Sequence, residues 1–571
     1  MKHAVRKFPA VWRASRLARR WYHARVDAYP DWSRALLADN RRWERARREA
    51  AGGPRVLLAS SIGAYAHAVS LESALGVALT LRGAEVHVLL CDSDLPACAE
   101  CEASLYPELD RFVADGPSRD LCRDCRWPAE RVYRELGIRV HRYGDWLTAD
   151  DRASAGVTAR SLPVEAIRDF VEDGLQVGEH AYAGALRFFA SGTLDGEPRG
   201  EAVLRRYLES ALLTARASRR LMREVGFTAA TVTHGIYVPW GIIGEAARHE
   251  GVRVVTWNVA YRKRRFIFSH DDTYHHTLMN EPVSHWEGEE LKPSQERELM
   301  SYLASRREGL FDWIVFHRAE HQDTRALAAK VGVDLSRPVI GCLTNVSWDA
   351  QLHYPANAFP DMLTWFVETV RYFRRRPDLQ LLVRVHPAEI SGFPVSRQPI
   401  LGELARHVPD VPPNVILVPP ESAMSSYALM SLCNAAIIYG TKMGVELSSV
   451  GLPVIVAGEA WIRNKGITWD ASTPEEYFAL LDQLPFAEGM PDARVARARR
   501  YAYHFFFNRM IPLPFIEPKA GYPIYQLRLD RLDPLLPGAT PGLDVICDGI
   551  LQGQPFHLDE RRASTASAPS V

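Results

Sequence analysis

Apolar positions along this chain alternate between short unbroken runs and helical stripes, and the alternation starts just after Pro54. Val56-Leu57-Leu58-Ala59 is an apolar run that ends in Ser60 and Ser61, and Ile62 to His67 reads as a loop. From Ala68 to Leu81 the apolar residues Val69, Leu71, Ala74, Leu75, Val77, Ala78 and Leu81 follow helical spacing. Gly83 ends that helix, and Glu85 to Cys91 is the next strand. Strand, small-residue loop, helix, glycine and strand make a βαβ unit with parallel strands. In such sheets the loops at the strand ends face the ligand crevice. Residues 150–230 are mainly helical in pattern. Ala229 to Thr233 is then a strand, His234-Gly235 a turn, Trp240 to His249 a helix, and Val252 to Trp257 another strand.

The same alternation restarts near Arg337. Val339 to Thr344 is a strand, Pro360 to Arg375 a long amphipathic helix, and Leu381 to Val385 a strand that runs into His386-Pro387. Val415 to Val418, Ala435 to Tyr439 and Pro453 to Ala457 are further strands, with a helix at Gly444 to Val450 before the last. A chain of 571 residues is too long for one ordinary core. The expected fold class is α/β, with two doubly wound Rossmann-like domains and a Cys-rich insertion in the first. The expected segments are a basic extension over 1–52, a first domain over 53–310 with the insertion at about 91–130, a second domain over 311–490, a helix and return segment over 491–535, and a largely disordered Pro/Gly/Ser/Ala-rich tail over 536–571.

Lys and Arg together number 69, as do Asp and Glu, and a zero balance gives no reason to expect a nucleic-acid partner. Residues 1–50 depart from it, with about 14 basic against about five acidic residues. Arg13, Arg16, Arg19 and Arg20 interleave with Val11, Trp12, Leu17, Trp21 and Tyr22, which fits a basic amphipathic helix resting on a membrane surface. The plain alternative is a helix packed on the body of the protein. No stretch approaches the roughly 18 apolar residues of a membrane span, and no apolar run of about 7–15 residues follows the basic start as in a secretory signal. The expected location is therefore cytoplasmic, peripheral on the inner face of the membrane where the basic segment acts.

Four of the eight cysteines form Cys98-Ala99-Glu100-Cys101 and Cys122-Arg123-Asp124-Cys125. Two Cys-x-x-Cys pairs about 20 residues apart have the spacing of a four-thiolate zinc site. In a reducing compartment such pairs point to metal rather than to disulfides. An iron–sulfur cluster uses the same ligands and ranks second; Cys91 is an alternative ligand. A closed sulfur shell leaves no position for substrate, so the expected role is structural.

The chemistry-bearing stretch is Tyr439-Gly440-Thr441-Lys442-Met443-Gly444-Val445-Glu446. It places small residues where a strand turns into a helix, a position suited to a phosphate, with Lys442 as a nearby charge and Glu446 placed to accept from a ribose. The second element is Val383-Arg384-Val385-His386-Pro387, in which Pro387 holds His386 extended at the strand end. Together with Gly451-Leu452-Pro453-Val454 and the polar loop after Cys342-Leu343-Thr344-Asn345, these motifs resemble the capsule polysaccharide biosynthesis family, which includes bacterial Kdo transferases. The resemblance covers about residues 335–470. It implies a GT-B fold, two such domains facing a central cleft, with a nucleotide-sugar donor held mainly by the second domain. By that resemblance His386 and Pro387 contact the nucleotide and Thr441 to Gly444 its phosphate. Arg384 and Glu446 are counted with the donor-binding residues, although Arg384 alternates with Val383 and Val385, which turns it to the other face. Lys442 replaces the family's usual small residue, and Lys465-Gly466-Ile467-Thr468 matches a later donor-side loop. Glu172-Asp173-Gly174 has the letters of an acidic motif of related transferases, inside what reads as a helical pattern.

An acceptor hydroxyl needs a base and the leaving phosphate needs positive charge or oriented N–H groups. The candidate bases are His67 and, better placed, His234, whose flanking glycine and aromatics resemble a sugar-stacking pocket. Asp271, Asp272, His275 and His276 form a further polar cluster that binds acceptor or simply covers a loop. The function expected is transfer of a sugar from a CMP-Kdo-like or UDP-sugar donor to a surface polysaccharide or glycolipid acceptor, with no metal at the donor site. The alternatives are an epimerase or polyol-phosphate transferase on the same scaffold, or a non-catalytic binding protein that recruits partners through the cysteine pairs.

Overall fold

An apolar run that is buried on both faces has to sit in the middle of a covered parallel sheet, and the computed structural model puts the run at Arg55–Ser61 (β1) there, with every residue but Arg55 buried. The structure describes residues 28–558 apart from 107, 289, 309–310, 314–322, 351–355 and 393, together with residues 11, 14, 15, 17, 18, 21 and 22. Arg13, Arg16, Arg19 and Arg20, on which the membrane-helix expectation rests, lie outside the described residues, as does the end of the tail from 559. Among the described residues no helix is long and apolar enough to cross a membrane. The chain divides into two units, Met1–Phe189 with Leu194–Tyr274 and Asn508–Val571, and Ala190–Thr193 with His275–Phe507.

In the first unit β1 pairs in parallel with Glu85–Leu90 (β2) on one side and Ala229–Thr233 (β4) on the other. Arg139–Arg142 (β3) continues beyond β2, and Arg253–Val259 (β5) and the antiparallel Arg265–His270 (β6) continue beyond β4. The order is thus β6-β5-β4-β1-β2-β3, with a short strand at Ile511–Pro512 on the outer edge of β6. The chain leaves β1 in one direction, to β2 and β3, and later in the other, to β4 and β5. The switch point lies between the C-terminal ends of β1 and β4. The crossover helix Ala66–Thr80 (α1) is buried at every position except His67. The helix therefore begins two residues before the expected start, and His67 is in its first turn rather than in a loop.

The cysteine-bearing segment is only partly an insertion. Arg119–Glu135 (α2), which carries Cys122 and Cys125, is the crossover helix between β2 and β3. The additional part is the stretch before it, with a turn at Ala103–Leu105 and a helix at Leu109–Asp115. Two helices, Val177–Phe189 (α3) and Gly200–Val225 (α4), pack on each other and cover the sheet with Trp240–His249 (α5). Glu172-Asp173-Gly174 is not helical: Glu172 bridges to Leu175, and Asp173 and Gly174 turn the chain at φ of 49° and 87°. The apolar spacing of Ile167, Phe170, Val171 and Leu175 imitated a helix that this tight turn interrupts.

The second unit has six parallel strands: Val339–Leu343 (β7), Gln380–Arg384 (β8), Val415–Val418 (β9), Ala435–Ile438 (β10), Val454–Val456 (β11) and Trp469–Asp470 (β12). Their order is β12-β11-β10-β7-β8-β9. Again the chain goes out from one strand, returns, and leaves on the other side, so the switch point lies between the ends of β7 and β10. Met362–Phe373, capped by the Asp361 carboxylate, lays Trp365, Phe366, Val370 and Phe373 on the core over Ile340 and Leu381. Met443–Ser449 (α6) follows β10.

Two expected boundaries move. The first unit ends at Tyr274, not near 310, and the chain returns to it at Asn508. The reason is local. Lys465 donates to the carbonyls of Met279 and Glu281, both at 2.9 Å, and Arg306 from the helix Pro293–Glu308 pairs with Glu446, so residues 275–308 belong to the core of the second unit. The tail is ordered as far as it is described. Pro541–Gln552 is a helix that buries Leu543, Ile546 and Ile550. Their i, i+3, i+7 spacing is the signal of an amphipathic helix, hidden by the surrounding Pro, Gly and Ala.

Candidate functional site

At the switch point of the second unit, residues from three strand ends come together. β7 runs into Thr344 and Asn345, β8 into Val385 and His386, and β10 into Tyr439 and Gly440. The His386 amide donates to Thr344 Oγ1 at 3.1 Å, and the Ala388 amide donates to His386 Nδ1 at 3.1 Å. An imidazole that accepts at Nδ1 and is neutral carries its proton on Nε2. Burial, then the charges of Lys442 and Arg384, push the His386 pKa down to about 4, so it is neutral at pH 7. Pro387 begins the short turn Ala388–Ser391 and locks the chain direction after the histidine. Gly440 is exposed, and the space where its Cβ would be lies 3.9 Å from Asn345 Nδ2. Asn345 Oδ1 is buried without a hydrogen-bond partner among the described residues. Asn345 is absent from the sequence-derived set; the polar loop after an apolar strand was its signal, but which residue of that loop turns to the crevice is a matter of backbone path.

Beneath this crevice lies a buried charge network. Glu446 Oε2 accepts from Arg306 Nε at 2.9 Å and from the Tyr427 hydroxyl at 2.6 Å, while Oε1 accepts from Lys442 Nζ at 2.8 Å. Arg306 also pairs with Asp312, and it donates to the Tyr302 hydroxyl at 2.7 Å. Burial opposes ionisation of Glu446, but Arg306 and Lys442 outweigh it and hold its pKa down to about 2. Both oxygens of Glu446 are thus engaged within the protein, at 4% exposure. This corrects the expectation that Glu446 accepts from a ribose: it positions Lys442 instead.

Four other predicted donor residues have structural employment. Arg384 is 1% exposed and donates to the carbonyls of Pro419 and Ser422, so it ties β8 to the loop after β9. Gly444 is a packing glycine, since a Cβ there would meet Ile438 Cδ1 at 2.7 Å and Ile462 Cγ2 at 3.0 Å. Lys465 is spent on the carbonyls of Met279 and Glu281, and burial pushes its pKa down to about 8. Gly466 sits at φ 67°, a turn position that favours glycine. Thr441 lies two residues before α6, and its hydroxyl accepts from the Met443 amide at 3.3 Å. The structure brings together His386, Pro387, Gly440, Thr441 and Lys442, and adds Thr344 and Asn345.

In the first unit the switch point is lined by the candidate bases. His234 follows β4 at φ 65°, and its amide donates to the Trp257 carbonyl at 2.8 Å. A non-glycine residue held there costs of order 1–3 kcal/mol and persists only where the surroundings enforce it. Tyr237 and Trp240 are each 2% exposed, and Trp240 Nε1 donates to the Ser60 carbonyl at 2.6 Å. They are core residues, so the sugar-stacking pocket expected from the sequence is not formed by them. His67 lies against Tyr65, with ring centroids 3.8 Å apart, near the edges of Tyr522 and Tyr525. Burial, opposed by Glu100, pushes the His67 pKa down to about 4, and its Nδ1 is buried without a hydrogen-bond partner among the described residues. A base is most effective when its pKa lies near the working pH, which makes His67 the weaker candidate.

Gly63, in the loop between β1 and α1, approaches α2 closely: a Cβ would lie 2.3 Å from the Cys125 carbonyl oxygen and 3.0 Å from Ala129 Cβ. Gly63→Ala is expected to destabilise the first unit by about 1–3 kcal/mol, as for overpacking elsewhere. A melting temperature unchanged within a degree would contradict this. Asp272 Oδ1 accepts from the Thr273 amide at 2.6 Å in the turn that closes β6, and in the second unit the rings of His275 and Trp461 are tilted with centroids 5.6 Å apart. Glu172 and Asp173 are each paired with an arginine of α4, Arg216 and Arg219.

Fold and site define a protein of two α/β units, each with a polar crevice at the switch point of a largely parallel sheet. No protein-family model and no curated protein matches the chain. Among solved structures it is similar to the Thermosulfurimonas dismutans KpsC beta Kdo 2,4 transferase, at 13% identity over 48% of this chain and 79% of that one, with a TM-score of 0.33. The beta Kdo 2,7 transferase of the same KpsC aligns at 13% identity over 56% of this chain and 88% of that one, with a TM-score of 0.30. Acinetobacter baumannii MurG aligns at 13% identity over 78% of this chain and 95% of that one, with a TM-score of 0.26.

Proposed function

We propose that this chain is a glycosyltransferase of the GT-B type that takes a sugar from a nucleotide donor, a CMP-Kdo-like or UDP-sugar, for a surface polysaccharide or glycolipid acceptor. The observation that carries the reading is the gathering of Thr344, Asn345, His386, Gly440 and Lys442 at the switch point of the second unit. Open α/β sheets bind nucleotides there. The chemistry of the donor set suits a nucleotide. Neutral His386 carries an N–H at Nε2. The charge of Lys442 stands beside it and suits a phosphate oxygen. Asn345 Oδ1 offers an acceptor for a base or a hydroxyl. Thr441 adds a hydroxyl, and Gly440 leaves room for the ligand to approach the backbone.

In this reading His386 and Lys442 stabilise the charge that develops on the phosphate as the glycosidic bond breaks, from donors already oriented before reaction. Glu446 and Arg306 act through Lys442 and are positioning residues. His234 of the first unit is the preferred base for the acceptor hydroxyl. No metal is assigned to the donor site, because these side chains supply the needed positive charge and N–H donors.

A thermal-shift series with CMP, CDP, UDP, GDP and ADP tests the reading. A ligand at 100 times its Kd adds about 2.7 kcal/mol to stability. One nucleotide is expected to raise the melting temperature of the wild type and to lose that effect with His386→Ala. A flat response to all five would sink the donor-site assignment, and an equal shift in wild type and variant would move the site away from His386.

A further inference from the structure

Two helices of the first unit adjoin each other as an outer layer over α1: Ser33–Ala50 and α2. Trp32, at the start of the first, donates from Nε1 to Ser73 Oγ of α1 at 3.3 Å. Trp43 donates from Nε1 to the Leu136 carbonyl, at the end of α2, at 3.2 Å, and Arg47 donates to the next carbonyl, that of Gly137, at 2.9 Å. The inner faces are apolar and buried, with Ala35, Trp43, Ala46 and Ala50 on one helix and Ala129, Val132 and Tyr133 on the other.

The outer faces are of another kind. At helical spacing, Ser33–Ala50 exposes Arg34, Leu37, Arg41, Arg45 and Arg48, and α2 exposes Arg119, Arg123, Trp127, Arg131 and Arg134. Residues three and four apart share a face of a helix, so each helix carries a stripe of arginines interrupted by one large apolar side chain. Leu37 is 87% exposed and Trp127 45%, and the Arg131 guanidinium lies over the Trp127 ring at 5.4 Å. The exposed acids of the two helices are Glu49, Asp120 and Glu135, so the layer is positive in a chain whose charges balance overall.

Arginines elsewhere in this unit are neutralised where they stand. On α4, Arg205, Arg206, Arg216, Arg219, Arg220 and Arg223 each pair with a carboxylate at 2.6 to 3.3 Å. On the outer layer, Arg41, Arg45, Arg48 and Arg119 have no carboxylate within 4.0 Å among the described residues. Like charges gathered without counter-charge repel one another, and the same arrangement becomes favourable against a negatively charged surface.

We propose that this outer layer is a docking surface for a membrane that contains anionic phospholipids. The arginines meet headgroup phosphates, whose oxygens a guanidinium fork engages in pairs. Leu37 and Trp127 enter the interfacial zone, which favours an aliphatic side chain and an indole on the same face as the cations. Leu37 favours lipid over nucleic acid, because a phosphate backbone offers no apolar phase to an exposed aliphatic side chain. The surface is separate from the segment Val11 to Tyr22, where the sequence pattern placed membrane contact, and it does not rest on the donor-site reading, which concerns the second unit.

Co-sedimentation of the full-length protein with vesicles tests the surface. Binding is expected to phosphatidylcholine vesicles holding about one-third phosphatidylglycerol, to fall as salt rises, and to be absent on phosphatidylcholine alone. Arg41→Glu/Arg45→Glu is expected to weaken that binding by about tenfold or more, and Arg41→Gln/Arg45→Gln by less, since it removes charge without reversing it. Leu37→Gln/Trp127→Ala is expected to weaken it too, with the salt dependence of the wild type retained, because only apolar contact is lost. All of these side chains are exposed, so the variants are expected to fold, and their melting curves check this. Failure to bind anionic vesicles, or equal binding by the wild type and the charge-reversed variant, would overturn the proposal. So would loss of binding only when Arg13, Arg16, Arg19 and Arg20 are changed to Gln, or tighter binding to a short RNA than to the vesicles.

Discussion

Arg306→Ala is expected to destabilise the second unit by about 3–5 kcal/mol, the usual consequence of removing one partner of a buried ion pair. Arg306 is 8% exposed, Glu446 4% and Asp312 6%, and the guanidinium bridges the two carboxylates. Its loss leaves Asp312 and half of Glu446 in a dry interior with Lys442 as the nearest charge. The remaining carboxylates must then take up protons, admit water or move. Denaturant unfolding measures the loss. The double variant Arg306→Met/Glu446→Gln removes charge on both sides and should recover part of it, since an apolar replacement of the whole pair is often neutral. A single-variant loss below about 1 kcal/mol would mean that the network is not desolvated as described. The same variant should also weaken nucleotide stabilisation, because Lys442 loses the carboxylate geometry that holds it.

Glu72→Gln is expected to change the pH dependence of stability in the first unit. Glu72 is 2% exposed on α1, and its Oε1 accepts from Ser60 Oγ at 2.5 Å and Trp257 Nε1 at 3.1 Å. Burial is the largest influence and pushes its pKa up to about 7, against the hydrogen bonds from Ser60 and Trp257. The folded state therefore keeps a proton that the unfolded state has released between the ordinary carboxylate value of 4.5 and about 7. More protons in the folded state means that stability falls as pH rises through this window and is level above it. At 1.36 kcal/mol per pKa unit the fall is about 3 kcal/mol. Glutamine keeps an acceptor for both donors and does not ionise. The variant should thus match the wild type near pH 4 and exceed it at pH 8. Other titrating groups, such as His67 and His386, cancel in the difference between the two proteins. A difference that does not vary with pH would show that Glu72 does not titrate in this range.

The two buried carboxylates show what was legible in the text of the chain and what was not. Glu72 sits in an apolar helical stripe, and nothing in the spacing of Val69, Leu71, Ala74 and Leu75 says that position 72 faces Ser60 and Trp257 rather than water. Arg306 is separated from Glu446 by 140 residues, so no local pattern joins them. His386 was legible because its strand and its proline are its neighbours in sequence. Arg384, two residues before it, was counted with the donor residues although its alternation with Val383 and Val385 turns it to the other face, and the carbonyls of Pro419 and Ser422 that it meets come from another loop. Gly444 was misread for the same reason: a glycine at a strand-to-helix turn serves a ligand or a close packing contact, and Ile438 and Ile462 decide which.

By itself, the sequence determined the alternation of strands and helices, the existence of two α/β sheets, the strand-end positions of His234 and His386, and the two cysteine pairs, because each of these is written in contacts between near neighbours and in 2- or 3.6-residue periods. Only the tertiary structure decided the strand order, and with it the switch points between β1 and β4 and between β7 and β10. It alone placed Asn345 beside Gly440, spent Glu446 on Arg306 and Lys442, and set Cys125 against the loop before α1 and Ala99 against the loop after β4. These depend on which distant segments share a crevice, and burial, charge pairing and packing between segments far apart in sequence leave no local trace.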